Sequence, residues 1–138
     1  MDGLTRDHFG KRTDKTMKRD LEISQWHRNK LSNKCYGTDI DFYEYRFLNG
    51  NFVPKAIMEY KAMHVTQEKY VLSANTKAIY ELAKKAGIKF YFVWYEKEGN
   101  IFKFKVWNVT ENPFFDKRYK NHVRDMDENT FINLMECL

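Results

Sequence analysis

Thr38-Asp39-Ile40-Asp41-Phe42-Tyr43-Glu44-Tyr45-Arg46 and Val53-Pro54-Lys55-Ala56-Ile57-Met58-Glu59-Tyr60-Lys61-Ala62-Met63-His64, joined by Leu48-Asn49-Gly50-Asn51, decide the fold. Asn-Gly between two runs of β-branched and aromatic residues predicts a hairpin, because Gly supplies a positive φ without steric cost. Side chains alternate along a strand. Asp39 and Asp41 therefore share one face of the first arm, and Glu59 with Lys61 share one face of the second, each pair about 7 Å apart. Ala56-Ile57-Met58 is an unbroken apolar run of the kind that belongs to a strand buried on both faces. Glu59 and Lys61 follow directly. A carboxylate and an ammonium leaving water need partners, and a metal ion is one partner that also accounts for the acidic first arm.

Upstream, Met17, Leu21, Trp26 and Leu31 recur near helical spacing among charges and predict an amphipathic helix, with Trp26 in the core. Its last turns carry His27 and Arg28, candidate phosphate contacts as well as ordinary surface charges. Downstream, Ser73 to Ala86 predicts a second helix with Ile79, Leu82, Ala83 and Ala86 on one stripe, Ser73 as N-cap and Gly87 as the stop. Ile88 to Tyr95 is nearly continuous in apolar and aromatic residues and predicts a central strand. After the turn at Glu98-Gly99-Asn100, Ile101 to Val109 alternates Phe102, Phe104 and Val106 with Lys103, Lys105 and Trp107. This predicts a half-exposed strand whose lysine face serves either as a nucleic-acid platform or as protection against edge pairing. Thr110 to Val123 reads as a loop in which Phe114-Phe115-Asp116-Lys117-Arg118-Tyr119-Lys120 interleaves aromatic and basic residues. Such a loop suits stacked bases and phosphates, or a core plug with solvated charges. A last helix, about Glu128 to Cys137, begins after Asp127 as N-cap.

The chain has 138 residues, enough for one domain with a real core, and its 43% hydrophobic and 17% aromatic shares exclude a disordered chain. The expected organisation is a mobile basic arm over 1–16 and a single domain over 17–138, of α/β (α+β) class with a central mixed β-sheet flanked by helices. A net charge of +5 and a pI near 9.1 favour polyanionic partners. Cys35 and Cys137 lack metal-ligand spacing and read as free thiols of a reducing compartment. Without a signal-like start or an apolar run of membrane-spanning length, a cytoplasmic protein with no membrane partner is expected. There is no internal repeat, Gly-rich phosphate loop or Ser/His/Asp arrangement.

Ile40-Asp41-Phe42, followed after the hairpin by Ala56-Ile57-Met58-Glu59-Tyr60-Lys61, resembles the core motif of the PD-(D/E)XK nuclease superfamily, whose restriction-endonuclease-like fold includes Holliday junction resolvases. The resemblance spans about Met17 to Tyr95 and implies an αβββαβ core. It implies that Asp41 and Glu59 hold Mg2+ (or Mn2+) together with the backbone carbonyl of Tyr60, and that Lys61 orients the attacking water. Asp41, Glu59 and Lys61 would be the catalytic set, with Asp39 and Glu22 as further metal-ligand candidates. The motif departs from the family in that no proline precedes the acid and two aspartates compete for its role. Asp41 is preferred because Ile40 precedes it and Phe42 follows. Gln67 sits loosely where some relatives place a useful glutamine.

The implied function is metal-dependent endonucleolytic cleavage of DNA, with RNA left open, and a two-fold homodimer is a natural arrangement for cutting both strands. Two other classes compete. One is a non-catalytic nucleic-acid-binding module on the same fold, with Glu59 and Lys61 as a structural ion pair; the other is a small regulatory protein that docks an acidic partner. The expected nucleic-acid contacts are His27, Arg28, Gln67, Lys103, Lys105, Lys117 and Arg118.

Overall fold

The computed structural model describes residues 21–64 and 67–138. The chain divides into two units, Met1–Thr38 and Asp39–Leu138. The expected arm over 1–16 and the expected helix start at Met17 lie outside the described residues. In the first unit, α1 (Leu21–Lys30) carries Glu22 in its first turn and His27, Arg28 and Lys30 in its last, the polarity that the helix dipole favours. Trp26, expected in the core, keeps half of its surface exposed.

The second unit is a mixed five-stranded sheet with helices on its faces, the class expected from the sequence. Its elements are β1 (Phe42–Leu48), β2 (Asn51–Ala62), α2 (Glu68–Val71), α3 (Ala74–Ala86), β3 (Lys89–Glu98), β4 (Ile101–Asn108), a 3-10 turn (Lys117–His122), β5 (Val123–Asp127) and α4 (Glu128–Glu136). Strand order follows the chain, β1-β2-β3-β4-β5. Only β2 and β3 run parallel, joined by a crossover through α2 and α3; every other neighbour is antiparallel. Two strands precede α3 among the described residues, where the αβββαβ order has three before its second helix.

Asn49 and Gly50 both adopt positive φ, at 50° and 81°, so the predicted Asn-Gly turn closes β1 onto β2 with Leu48 opposite Asn51. Ala56, Ile57 and Met58 are buried, and their alternation sends them to two different cores. Ile57 joins Ile79, Ala83, Phe92, Trp94, Trp107 and Tyr119 on one face, while Ala56 and Met58 join Tyr91, Val93, Val106 and Phe131 on the other. β3 is central as predicted.

Three expectations are corrected. The buried stripe of α3 is Thr76, Ile79 and Ala83, with Leu82 outside. Trp107 is fully buried and donates its Nε1–H to the Asn112 carbonyl at 2.8 Å, so it forms no platform with the neighbouring lysines. β4 is not an edge, because β5, which starts at Val123 where the expected loop ends, hydrogen-bonds along it. No helix among the described residues is long and apolar enough to cross a membrane.

Candidate active site

Parallel pairing aligns Glu59 with Phe92 and Lys61 with Trp94, and antiparallel pairing aligns Trp94 with Lys105. Residues opposite one another in a ladder project from the same face, so Glu59, Lys61, Trp94 and Lys105 lie on the face of the Ile57 core. Tyr43, opposite Ile57, is on that face too.

The ladder between β1 and β2 ends at Phe42–Met58. Beyond it the β1 side of β2 would present an unpaired backbone, a costly state for a strand entering the core. The Asp41 carboxylate takes the place of the missing strand, accepting a hydrogen bond from the Tyr60 N–H at 3.2 Å. In a strand the N–H and C=O of one residue point to the same side, so the Tyr60 carbonyl opens on this edge as well. Asp41 precedes the strand at a bend and Asp39 is exposed outside it, which differs from the expected pair on one strand face. The Tyr60 N–H is what separates the two aspartates. It went unseen in the sequence because it depends on where β1 stops pairing.

The Lys61 Nζ lies 3.2 Å from the Glu59 Oε1, with the Glu59 side chain 14% exposed and that of Lys61 41%. Burial, then the nearby Asp41 carboxylate, push the Glu59 carboxyl above its ordinary range, while the Lys61 ammonium pulls the other way. The Glu59 Oε2 is buried and has no hydrogen-bond partner among the described residues. An acid that is desolvated, crowded by a second acid and short of one partner is poised to accept a cation or a proton.

A divalent cation can be tested against these residues. No group of three or more His, Cys, Asp or Glu side chains is arranged to hold a metal among the described residues. Magnesium keeps most of its waters and needs only one or two carboxylates. Asp41, the orphaned Glu59 oxygen and the carbonyl edge at Tyr60 therefore fit a hard cation with a small protein share.

The remaining predicted residues are dispersed. Glu22, His27 and Arg28 belong to the first unit, and the site is built wholly from the second. Gln67 is the exposed N-cap of α2 and makes no side-chain cap. Lys103 pairs with Glu98 and Lys105 with Asp125, both at 3.0 Å. Lys117 opens the 3-10 turn, while Arg118 is bound to Asp116 and lies over the Phe114 ring. That guanidinium holds the Asp116 carboxyl down to about 2. Lys120, in the interleaved basic and aromatic stretch but not among the expected contacts, pairs with Glu68 at 3.1 Å; the other Glu68 oxygen is buried without a hydrogen-bond partner among the described residues.

No protein-family model, curated protein or solved structure matches the chain.

Proposed function

We propose that the protein is a metal-dependent endonuclease that hydrolyses phosphodiester bonds in DNA. The observation that carries this is the convergence of Asp41, Glu59 and Lys61 at one end of β2, with an orphaned, desolvated oxygen on Glu59. The resemblance to PD-(D/E)XK nucleases is supported by the hairpin arm that leads through a helical crossover into the parallel β3. Asp41, Glu59 and the Tyr60 carbonyl would hold Mg2+ or Mn2+. The bound ion supplies neutralisation of charge at the phosphate and a more acidic water.

The chain's own groups do the rest. Glu59 Oε1 fixes the Lys61 ammonium beside the acid pair. From there Lys61 donates hydrogen bonds to the attacking water and to a phosphate oxygen on which negative charge grows. The water gives up one proton to solvent as its oxygen bonds to phosphorus, the ester P–O bond breaks with its electron pair passing to the leaving oxygen, and that oxygen takes up a proton from solvent. A two-fold homodimer would bring two such sites to one nucleic acid. The exposed free thiols of Cys35 and Cys137 support a reducing, cytoplasmic setting.

The test is cleavage of plasmid, branched and single-stranded DNA, with RNA in parallel, in Mg2+ or Mn2+ against EDTA. Glu59→Ala and Lys61→Ala should each lower turnover by roughly 100-fold or more. Equal turnover by all three proteins would refute the proposal. The close Glu59–Lys61 ion pair supports a second reading, a non-catalytic binding module, in which those substitutions alter stability and binding needs no metal.

A further inference from the structure

The sheet face that carries the acid pair also carries a row of exposed aromatic rings. Along β1, alternation places Tyr43, Tyr45 and Phe47 on this face, and Phe52 stands opposite Phe47 across the turn. Their exposures are 51%, 49%, 62% and 72%. The rings form one continuous row, with centroids 5.9 Å apart for Tyr43–Tyr45, 5.7 Å for Tyr45–Phe52 and 5.0 Å for Phe47–Phe52. Half-exposed aromatics in a contiguous row mark a surface with a partner. The row starts one alternation from Asp41 and runs to the hairpin tip.

On the far side of the acid pair the same face carries lysines, each paired with an acid. Lys61, Trp94 and Lys105 stand in one cross-strand row. Beside it is an open cavity of about 330 Å³ lined by Met63, Trp94, Tyr119, Val123, Lys105 and Lys120. Lys105 is held by an exposed ion pair to Asp125, and Lys120 by a pair to the partly buried Glu68. Exposed pairs are worth little and exchange readily for phosphate.

We infer that this face binds an unpaired nucleic-acid strand, its bases stacked on Tyr43, Tyr45, Phe47 and Phe52 and its backbone leading past Asp41 and Glu59 to Lys61, Lys105 and Lys120. The inference rests on the phosphodiesterase reading for the path of the backbone, and it names the form of the substrate. Aromatic side chains on a sheet take unstacked bases, whereas bases in a duplex already stack on each other. The charge of the chain favours a polyanion over a second copy, since a copy brings the same +5.

The experiment measures binding apart from cleavage. The full chain is titrated in EDTA onto a fluorescein-labelled 20-nucleotide single strand and onto the same strand in duplex, by anisotropy, with light scattering alongside. Wild type should bind the single strand more tightly. The double variant Tyr45→Leu/Phe52→Leu keeps an apolar surface without π faces and should bind the strand roughly tenfold or more weakly, at the stacking strength usual for one or two bases. Unchanged melting of the variant shows that the hairpin is intact. The inference is overturned if the leucine variant binds the single strand as wild type does, if duplex is bound as tightly, or if the row holds a dimer that the variant dissolves. Strand binding of the expected kind without cleavage of any substrate supports this face and removes only the nuclease reading. Cleavage by a protein whose strand binding ignores the leucines removes only this inference.

Discussion

The two hairpins of the sheet have similar composition and opposite fates. β3 and β4 meet at a turn with Gly99 in positive φ, and they bury Phe92, Trp94 and Trp107 under α3 and the 3-10 turn. Their lysines, Lys103 and Lys105, are tied to Glu98 and Asp125. β1 and β2 also meet at a two-residue turn, with Asn49 and Gly50 both in positive φ, yet their rings stand in solvent and their charged groups crowd together at the inner end. One hairpin spends its aromatics on stability. The other holds an exposed aromatic row beside an under-satisfied carboxylate, a combination that costs stability and makes sense when a ligand completes it.

The largest expected contrast is in catalysis. Glu59→Ala should all but abolish cleavage, while Lys103→Ala in the buried hairpin should leave it within about twofold, as is usual for exposed ion pairs; equal losses in a plasmid-nicking assay would erase the distinction.

Stability should divide the other way. Trp107→Ala removes a fully buried ring and its hydrogen bond to Asn112, at a cost of about 3–5 kcal/mol in urea unfolding. Phe52→Ala, at a largely exposed ring, should cost about 0.5 kcal/mol or less. A large loss at Phe52 would mean that the exposed row is part of a core.

A smaller effect concerns pH. The Glu59 carboxyl is raised above its ordinary 4.5, so the native state binds this proton more tightly than the unfolded chain does. The stability it contributes is full below pH 4.5 and is lost as pH rises through the folded value. Glu59→Gln should therefore melt no lower than wild type at pH 7, with its relative advantage shrinking toward pH 4. Mg2+ should raise the melting temperature of wild type and leave that of the variant unchanged. A variant that melts well below wild type at pH 7 would make Glu59 a structural ion-pair residue.

The smallest expected effect lies at the cap of α4, which covers the face opposite the site. The Asp127 carboxylate accepts from the Thr130 N–H at 2.8 Å, and Asp127→Ala should cost about 1 kcal/mol while leaving strand binding untouched.

Much of this was legible in the sequence wherever a local rule acts alone. Asn49-Gly50 set the hairpin, Ala56-Ile57-Met58 set the strand buried on both faces, and Gly87 stopped α3 in the left-handed region at φ 71°, while Ser73 takes the N-cap position without a side-chain cap hydrogen bond. Glu59 and Lys61 were legible as a pair because strand alternation puts i and i+2 together. What escaped depends on neighbours distant in the chain. β5 has the polar sequence Val-Arg-Asp-Met-Asp and becomes a strand through pairing to β4, where Asp125 meets Lys105. Trp107 followed the lysines in alternation, but β5 and Tyr119 close over it. Asp39 and Asp41 could not be separated until the Tyr60 N–H was seen to be left for a side chain.

The most direct measurement of the central claim is the anomalous scattering of a crystal soaked in Mn2+. One ion is expected between the carboxylates of Asp41 and Glu59, touching the buried Glu59 oxygen, with Lys61 alongside. An ion bound elsewhere, or a Glu59 that remains paired to Lys61 alone at saturating Mn2+, would contradict it.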